Sequence, residues 1–192
     1  MLKNTELNYG RIARTIHWLT AVLFLGAYVT VYYRQWFTGP RTPENWTALQ
    51  LHLSIGISIA VLVVLRIVWG MMNIHPRPEP GGRLAQMAAH WGHLALYAIL
   101  IVMPLTGYLG TGVDTEWFFL FDLPKFEDTW LFKALVEGWM GLSFKEFEVP
   151  VDVIHKQGGA TVVWMLILGH AAAALYHHCV LKDRTLVKMT TG

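Results

Sequence analysis

Nine histidines stand in a chain of 192 residues that is 54% hydrophobic and only 15% charged. Imidazole is the side chain that both ligates metals and moves protons near neutral pH. Ionisable groups inside apolar stretches are costly and mark function. His17 opens the first long uncharged stretch and His52 the second. His90 and His93 open the third; His155 opens the fourth, with His170 and His177 further along it. His75 falls in a connecting segment with no assigned role, and His178 reads as an interfacial anchor.

Two sites follow from this order. One joins His52 to His155 at one end of the stretches. The other joins His17 to a histidine of the fourth stretch, His170 or His177. His155 and His170 are 15 residues apart, about 22 Å along a helix axis, which suits two cofactors stacked across a membrane. Zinc wants three or four clustered ligands, whereas these positions supply facing pairs, the pattern of bis-histidine haem iron. Gly56, Gly158, Gly159, Ala13, Ala21, Ala173 and Ala174 flank the histidines at helical spacing and leave room for a flat ring. For any single one of them, close helix–helix contact is the plainer explanation.

The elements that must carry these histidines are visible as windows without Asp, Glu, Lys or Arg: Thr15 to Tyr33, Asn45 to Leu65, Leu84 to Val113, and Gln157 to Leu181. About 20 residues cross a hydrocarbon core, and an open sheet cannot. The expected architecture is therefore an all-α membrane protein with four transmembrane helices. Mean hydropathy of +0.40 excludes disorder and an ordinary cytosolic enzyme. The single cysteine, Cys179, excludes an internal disulfide, a zinc ribbon and an iron–sulfur cluster, and no CxxCH is present for covalent haem. The first apolar stretch is too long for a cleaved signal peptide and lacks an A-x-A-like site. A net charge of +2 gives no reason to expect nucleic acid.

Charge in the connections orients the bundle. One side carries nine cations against three acids, a balance of +6; the other carries six cations against ten acids, a balance of −4. The positive-inside rule places both termini in the cytoplasm. The outer side includes a long segment, Asp114 to Asp152, rich in Trp and Phe. It reads as a folded lid with short amphipathic helices on the outer surface, either sealing the bundle or docking a partner.

Five segments carry a family resemblance: RTIHW at Arg14–Trp18, LHLSIGI at Leu51–Ile57, GHLALY at Gly92–Tyr97, PLTGYL at Pro104–Leu109, and HAAAALYHH followed by KDRTLVKM at His170–Met189. They cover all four helices, and the chain resembles the bacterial cytochrome b561 family, related to the cytochrome b subunits of nickel hydrogenases and formate dehydrogenases. The resemblance implies a four-helix bundle holding two b-type haems, with a long folded periplasmic loop between helices three and four. It makes residues 1–192 a single transmembrane domain, with helices at about 13–36, 47–70, 86–112 and 152–181 and an outer loop over about 113–151.

By the same resemblance, His52 and His155 ligate the outer haem iron and His17 and His170 the inner one. His93 and His177 match a quinone site, and Arg66 matches a basic residue suited to a haem propionate. The implied function is a di-haem oxidoreductase of the bacterial inner membrane, relaying electrons from periplasmic superoxide to ubiquinone. The alternative is an electron-transfer subunit that docks a periplasmic redox protein; a haem-free bundle is the third and weakest reading. Membrane lipid and ubiquinone are the expected partners. The His155-to-His170 spacing is one residue longer than in superoxide-oxidising relatives, which predicts a π-bulge in helix four or a differently set inner ligand. Arg34, Arg41 and Lys156 are the cations nearest the outer histidines and form a candidate positive mouth for an anion.

Overall fold

A computed structural model describes residues 1–192. Four long helical rods, each long and apolar enough to cross a membrane, dominate it. The first is α1 (Arg11–Phe37) and the second α2 (Pro43–Met72), which begins with Pro43 in its first turn and with Thr42 accepting from the Asn45 N–H. The third is α3 (Arg83–Leu109), which ends at Gly110. The fourth runs from Phe144 to Leu181 as α5 (Phe144–Gln157), a π turn (Gly158–Val162), α6 (Val163–Tyr176) and a second π turn (His177–Leu181). α1 packs on α2, α2 on α3, and α3 on α5 and α6. Few side chains are buried, because Val22, Leu25, Val29, Val61, Val64, Met165 and Leu168 face outward, as lipid-facing positions must.

The fourth rod starts at Phe144, eight residues before the expected helix boundary at about 152. Ser143 and Glu146 form a capping box that nucleates the helix. Lys145, Glu146, Glu148 and Asp152 then make its first turns look like loop when read as sequence. The π turn at Gly158–Val162 lies between His155 and His170 and takes up extra length there.

The lid is also more built than short surface helices. Thr115–Trp117 (β1) and Phe121–Leu123 (β2) form an antiparallel hairpin, with Glu116 opposite Asp122 and Trp117 opposite Phe121. Phe118 and Phe119 both adopt positive φ, 47° and 61°, at a cost of about 1–2 kcal/mol each for residues with bulky side chains. A 3₁₀ turn (Phe126–Asp128) leads into α4 (Trp130–Phe132), which continues as a π-helix to Met140. Phe126, Phe132 and Val136 are buried against Tyr108, Leu109, Phe144 and Phe147, so the lid has its own small core. Glu127 bonds the Lys125 ammonium at 2.7 Å and holds its pKa above the ordinary lysine value.

At the inner end, three segments interlock. Arg14 Nη1 donates to the Thr190 carbonyl and Trp18 Nε1 to that of Met189, tying α1 to the C-terminal helix α7 (Thr185–Thr190). Buried Lys188 pairs with Glu79 at 2.5 Å and donates to the Arg77 carbonyl, while Arg77 pairs with Glu6.

Candidate functional site

Two clefts lie inside the bundle, one above the other, between α1 and the fourth rod. Both clefts are open along one side; with that open space counted, the outer one spans about 850 Å³ and the inner one about 900 Å³. Phe24 and Tyr28 line both. The Tyr28 hydroxyl donates to the Gly159 carbonyl at 2.7 Å, and Trp164 Nε1 donates to the Tyr32 hydroxyl at 3.0 Å. These contacts, with the Tyr28 and Trp164 rings 4.5 Å apart, join α1 to the fourth rod where the clefts meet. The sequence signal for them is Tyr28 and Tyr32 one turn apart in the first charge-free span.

In the outer cleft, His52 on α2 faces His155 on α5, with ring centroids 6.1 Å apart. Each Nδ1 lies 3.0 Å from a backbone carbonyl, Ala27 for His52 and Met103 for His155. A carbonyl only accepts, so each Nδ1 carries the ring proton and each Nε2 offers a lone pair. Gly107 backs His155 so closely that a Cβ there would lie 2.8 Å from the ring, whereas a Cβ on Gly56 would meet nothing within 4 Å. Gly56, Gly159 and Ala160 line this cleft, as does Lys156, which is paired with Asp152.

In the inner cleft, the His17 and His170 centroids are 6.3 Å apart, and His93 stands 5.5 Å from His170. Arg66 Nη1 donates to His17 Nδ1 at 3.0 Å and its Nε to the Tyr97 hydroxyl at 3.1 Å. His93 donates from Nδ1 to the Ala89 carbonyl at 2.6 Å. Of the small residues expected here, Ala21 lines the cleft; Ala13, Ala173 and Ala174 do not. Tyr9, from the segment before α1, has its pKa raised by burial, with Tyr97 adding to the effect and Arg66 opposing it.

His177 is not brought into either cleft. Its Nδ1 bonds Asp183 at 2.5 Å, beyond the inner end of the fourth rod. Of the expected positive mouth, Arg34 donates to Asn45 Oδ1 at 3.1 Å, Lys156 is engaged by Asp152, and Arg41 is exposed at a turn with φ of 65°.

The spacing of the pairs tests their fit to iron. Two metal–imidazole bonds of about 2 Å, plus about 1 Å from each nitrogen to its ring centre, put the centroids roughly 6 Å apart. Both facing pairs meet that distance, and no set of three His, Cys, Asp or Glu side chains converges as a closed metal site.

Comparison with known proteins gives a concordant result. The family model for prokaryotic cytochrome b561 matches residues 8–192. The chain is 30% identical to Cytochrome b561 homolog 2 of Escherichia coli over 97% of this chain and 93% of that protein. It is 29% identical to a protein named probable superoxide oxidase CybB from Yersinia pestis, over 94% of each. Cytochrome b562 of Cereibacter sphaeroides is 25% identical over 96% of each chain.

Proposed function

The chain belongs to the prokaryotic cytochrome b561 family, whose members are haem b-binding membrane electron-transfer proteins, and from that premise we propose that it is a di-haem superoxide:ubiquinone oxidoreductase of the bacterial inner membrane with both termini cytoplasmic. The observation that carries this reading is the pair of facing imidazole sets, His52/His155 and His17/His170, in two clefts that share Phe24 and Tyr28. A bound b haem supplies reversible one-electron transfer in each cleft.

The chain's own residues do the rest. Ala27 and Met103 carbonyls orient the outer imidazoles and raise their basicity as ligands. Arg66, which reaches His17 and the Tyr97 hydroxyl, carries five N–H donors, and on release of His17 Nδ1 it would turn them to an anion such as a propionate. His93, whose Nδ1 proton is committed to Ala89, presents Nε2 at the inner cleft as a proton carrier for quinone. His177, held by Asp183 at the inner surface, relays protons between that region and water.

Two measurements on purified protein test the proposal: haem per chain by reduced-minus-oxidised absorption, and ubiquinone reduction driven by superoxide. Two haems and a superoxide-dependent rate that falls with ionic strength are expected, because Arg34, bonded to the neutral Asn45, and the exposed Arg41 at the outer rim attract the anion. Arg41→Glu slows the reaction further. Absence of the reaction in protein with both haems removes the superoxide assignment. The outer balance of −4 then favours the second reading, a subunit that docks a cationic periplasmic protein.

A further inference from the structure

We propose that the hairpin tip Trp117–Phe121 is a re-entrant element inserted into the outer leaflet, with lipid acyl chains as its partner.

Strand β1 is held along α2 by side chains on one face of that helix. Gln50 takes both backbone groups nearest it: its Nε2 donates to the Asp114 carbonyl, and its Oε1 accepts from the Glu116 N–H at 2.8 Å. Ser54 accepts from the Phe118 N–H at 2.9 Å, and its hydroxyl, which donates to the Gln50 carbonyl at 2.7 Å, also lies 3.2 Å from the Glu116 carbonyl. Ser58 accepts from Trp117 Nε1 at 3.2 Å. Gln50 and Ser54 are completely buried. From Glu116 to Phe118 the strand advances about 6.6 Å, and from Gln50 to Ser54 the helix advances about 6 Å. The strand therefore descends beside α2 toward the inner side, and the turn points into the bundle's lipid-facing depth.

The helices give that depth a scale. Arg14 and Arg34 on α1 are 20 residues apart, about 30 Å, one hydrocarbon thickness. Ala27, whose carbonyl meets His52, is about 10 Å inside Arg34, and Ser54 is about 3 Å deeper along α2 than His52. Phe118 packs on the cluster Ile55, Ile59 and Val63 at that level. Backbone that is not helical survives at such depth only where protein satisfies it, and Gln50 and Ser54 do so for β1.

The sequence of the tip agrees. Five consecutive apolar residues, Trp117, Phe118, Phe119, Leu120 and Phe121, lie between the cross-strand acids Glu116 and Asp122. Glu116 turns back up to Trp46 Nε1. Phe119 is 52% exposed, Leu120 73% and Phe121 51%, as outward-facing as Val61 (56%) and Val64 (60%) on α2.

The test places a nitroxide at Leu120→Cys in a Cys179→Ser background, in phosphatidylcholine–phosphatidylglycerol vesicles. Collisions with oxygen, which concentrates in hydrocarbon, are expected to exceed those with an aqueous nickel chelate, with the order reversed for a label at Asp128→Cys. More nickel than oxygen collisions at position 120 overturns the proposal. A second measurement needs no substitution at the tip: a diazirine carried on a lipid acyl chain is expected to attach within residues 117–121. Attachment only elsewhere, or disulfide formation between two chains through Leu120→Cys, assigns the tip to water or to a second copy and likewise overturns it. Neither readout depends on haem content, so its failure is separable from failure of the electron-transfer reading.

Discussion

The outer and inner clefts contain the same kind of histidine pair, set in different surroundings. Around His52 and His155, both Nδ1 atoms rest on backbone carbonyls, and Gly107 packs hard against one ring. The Nε2 atoms are aimed by groups that neither titrate nor move independently of the helices. Around His17 and His170, the corresponding neighbours are side chains. Arg66 offers His17 Nδ1 a donor rather than an acceptor, and His93 adds a third imidazole. A ring that ligates through Nε2 needs its proton on Nδ1, so ligation by His17 requires Arg66 to release it for another acceptor. The outer cleft is built to hold one geometry. The inner one is set by an arginine and a third imidazole, side chains that can turn where backbone carbonyls cannot.

The largest test of this contrast removes one histidine from each facing pair. His52→Ala is expected to abolish about half of the haem absorbance and leave the inner haem reducible, and His170→Ala to do the converse. Loss of both haems from either variant, with the bundle still folded by circular dichroism, argues for a single shared site. Next in size is Gly107→Val, which forces side-chain atoms into the His155 ring. Displacing an oriented ligand typically costs 10- to 100-fold in metal affinity, so haem titration should show weakening of about that order at the outer site alone. An equal loss at both clefts would mean that the outer geometry is not independently set.

Much of this arrangement is legible in the sequence, and the exceptions are physical. The four spans follow from the absence of charge between residues such as Arg14 and Arg34, because desolvating a charge in lipid is expensive. Position along the spans set His52 opposite His155, but for His17 it left His170 and His177 open, and only the family resemblance selected His170. The early start of the fourth rod was hidden because α5 is amphipathic and packs on α3 and the lid rather than being apolar throughout. The hairpin was hidden because Trp117 to Phe121 reads equally well as an interfacial aromatic cluster. Its signal was in another helix: Gln50, Ser54 and Ser58 at four-residue spacing in a greasy span, a polar stripe that needs a partner. Backbone carbonyls such as those of Ala27 and Met103 have no sequence signature at all, so the difference between the two clefts appears only in three dimensions.

A smaller effect separates ligation from proton handling at the inner end. His177→Ala is expected to retain both haems while slowing electron exchange with ubiquinone several-fold, within the range typical of lost acid–base assistance or below it. The measurement pairs haem content with the rate of quinone reduction. If His177→Ala strips the inner haem while His170→Ala spares it, the ligand assignment is exchanged. His93→Ala sharpens the result: a larger rate loss there than at His177 places the proton step at the cleft rather than at the surface.

The smallest expected effect concerns what acid does to the two ends. Burial pushes the Asp183 carboxyl up, but hydrogen bonds from His177 and from the Thr185 N–H outweigh it and hold the pKa below the ordinary carboxylate value. A carboxylate depressed in the folded state adds stability that is fully present above its unfolded pKa, about 3.9. That stability is lost as pH falls through the lower folded value. Asp183 leads into α7, whose contacts with Arg14, Trp18 and Arg77 close the inner end. The outer latch, Gln50, Ser54 and Ser58 on the hairpin, contains no group that titrates in this range. Hydrogen exchange in lipid nanodiscs should therefore show amides of Thr185–Thr190 losing protection below about pH 3.9 while those of Trp117–Phe121 keep theirs. Asp183→Asn should lower α7 protection modestly at neutral pH and reduce its further loss in acid, leaving what Glu79 and Glu6 contribute through Lys188 and Arg77. An unchanged acid response in that variant assigns the sensitivity to those pairs, and parallel loosening of the hairpin would show that the two ends are not independent.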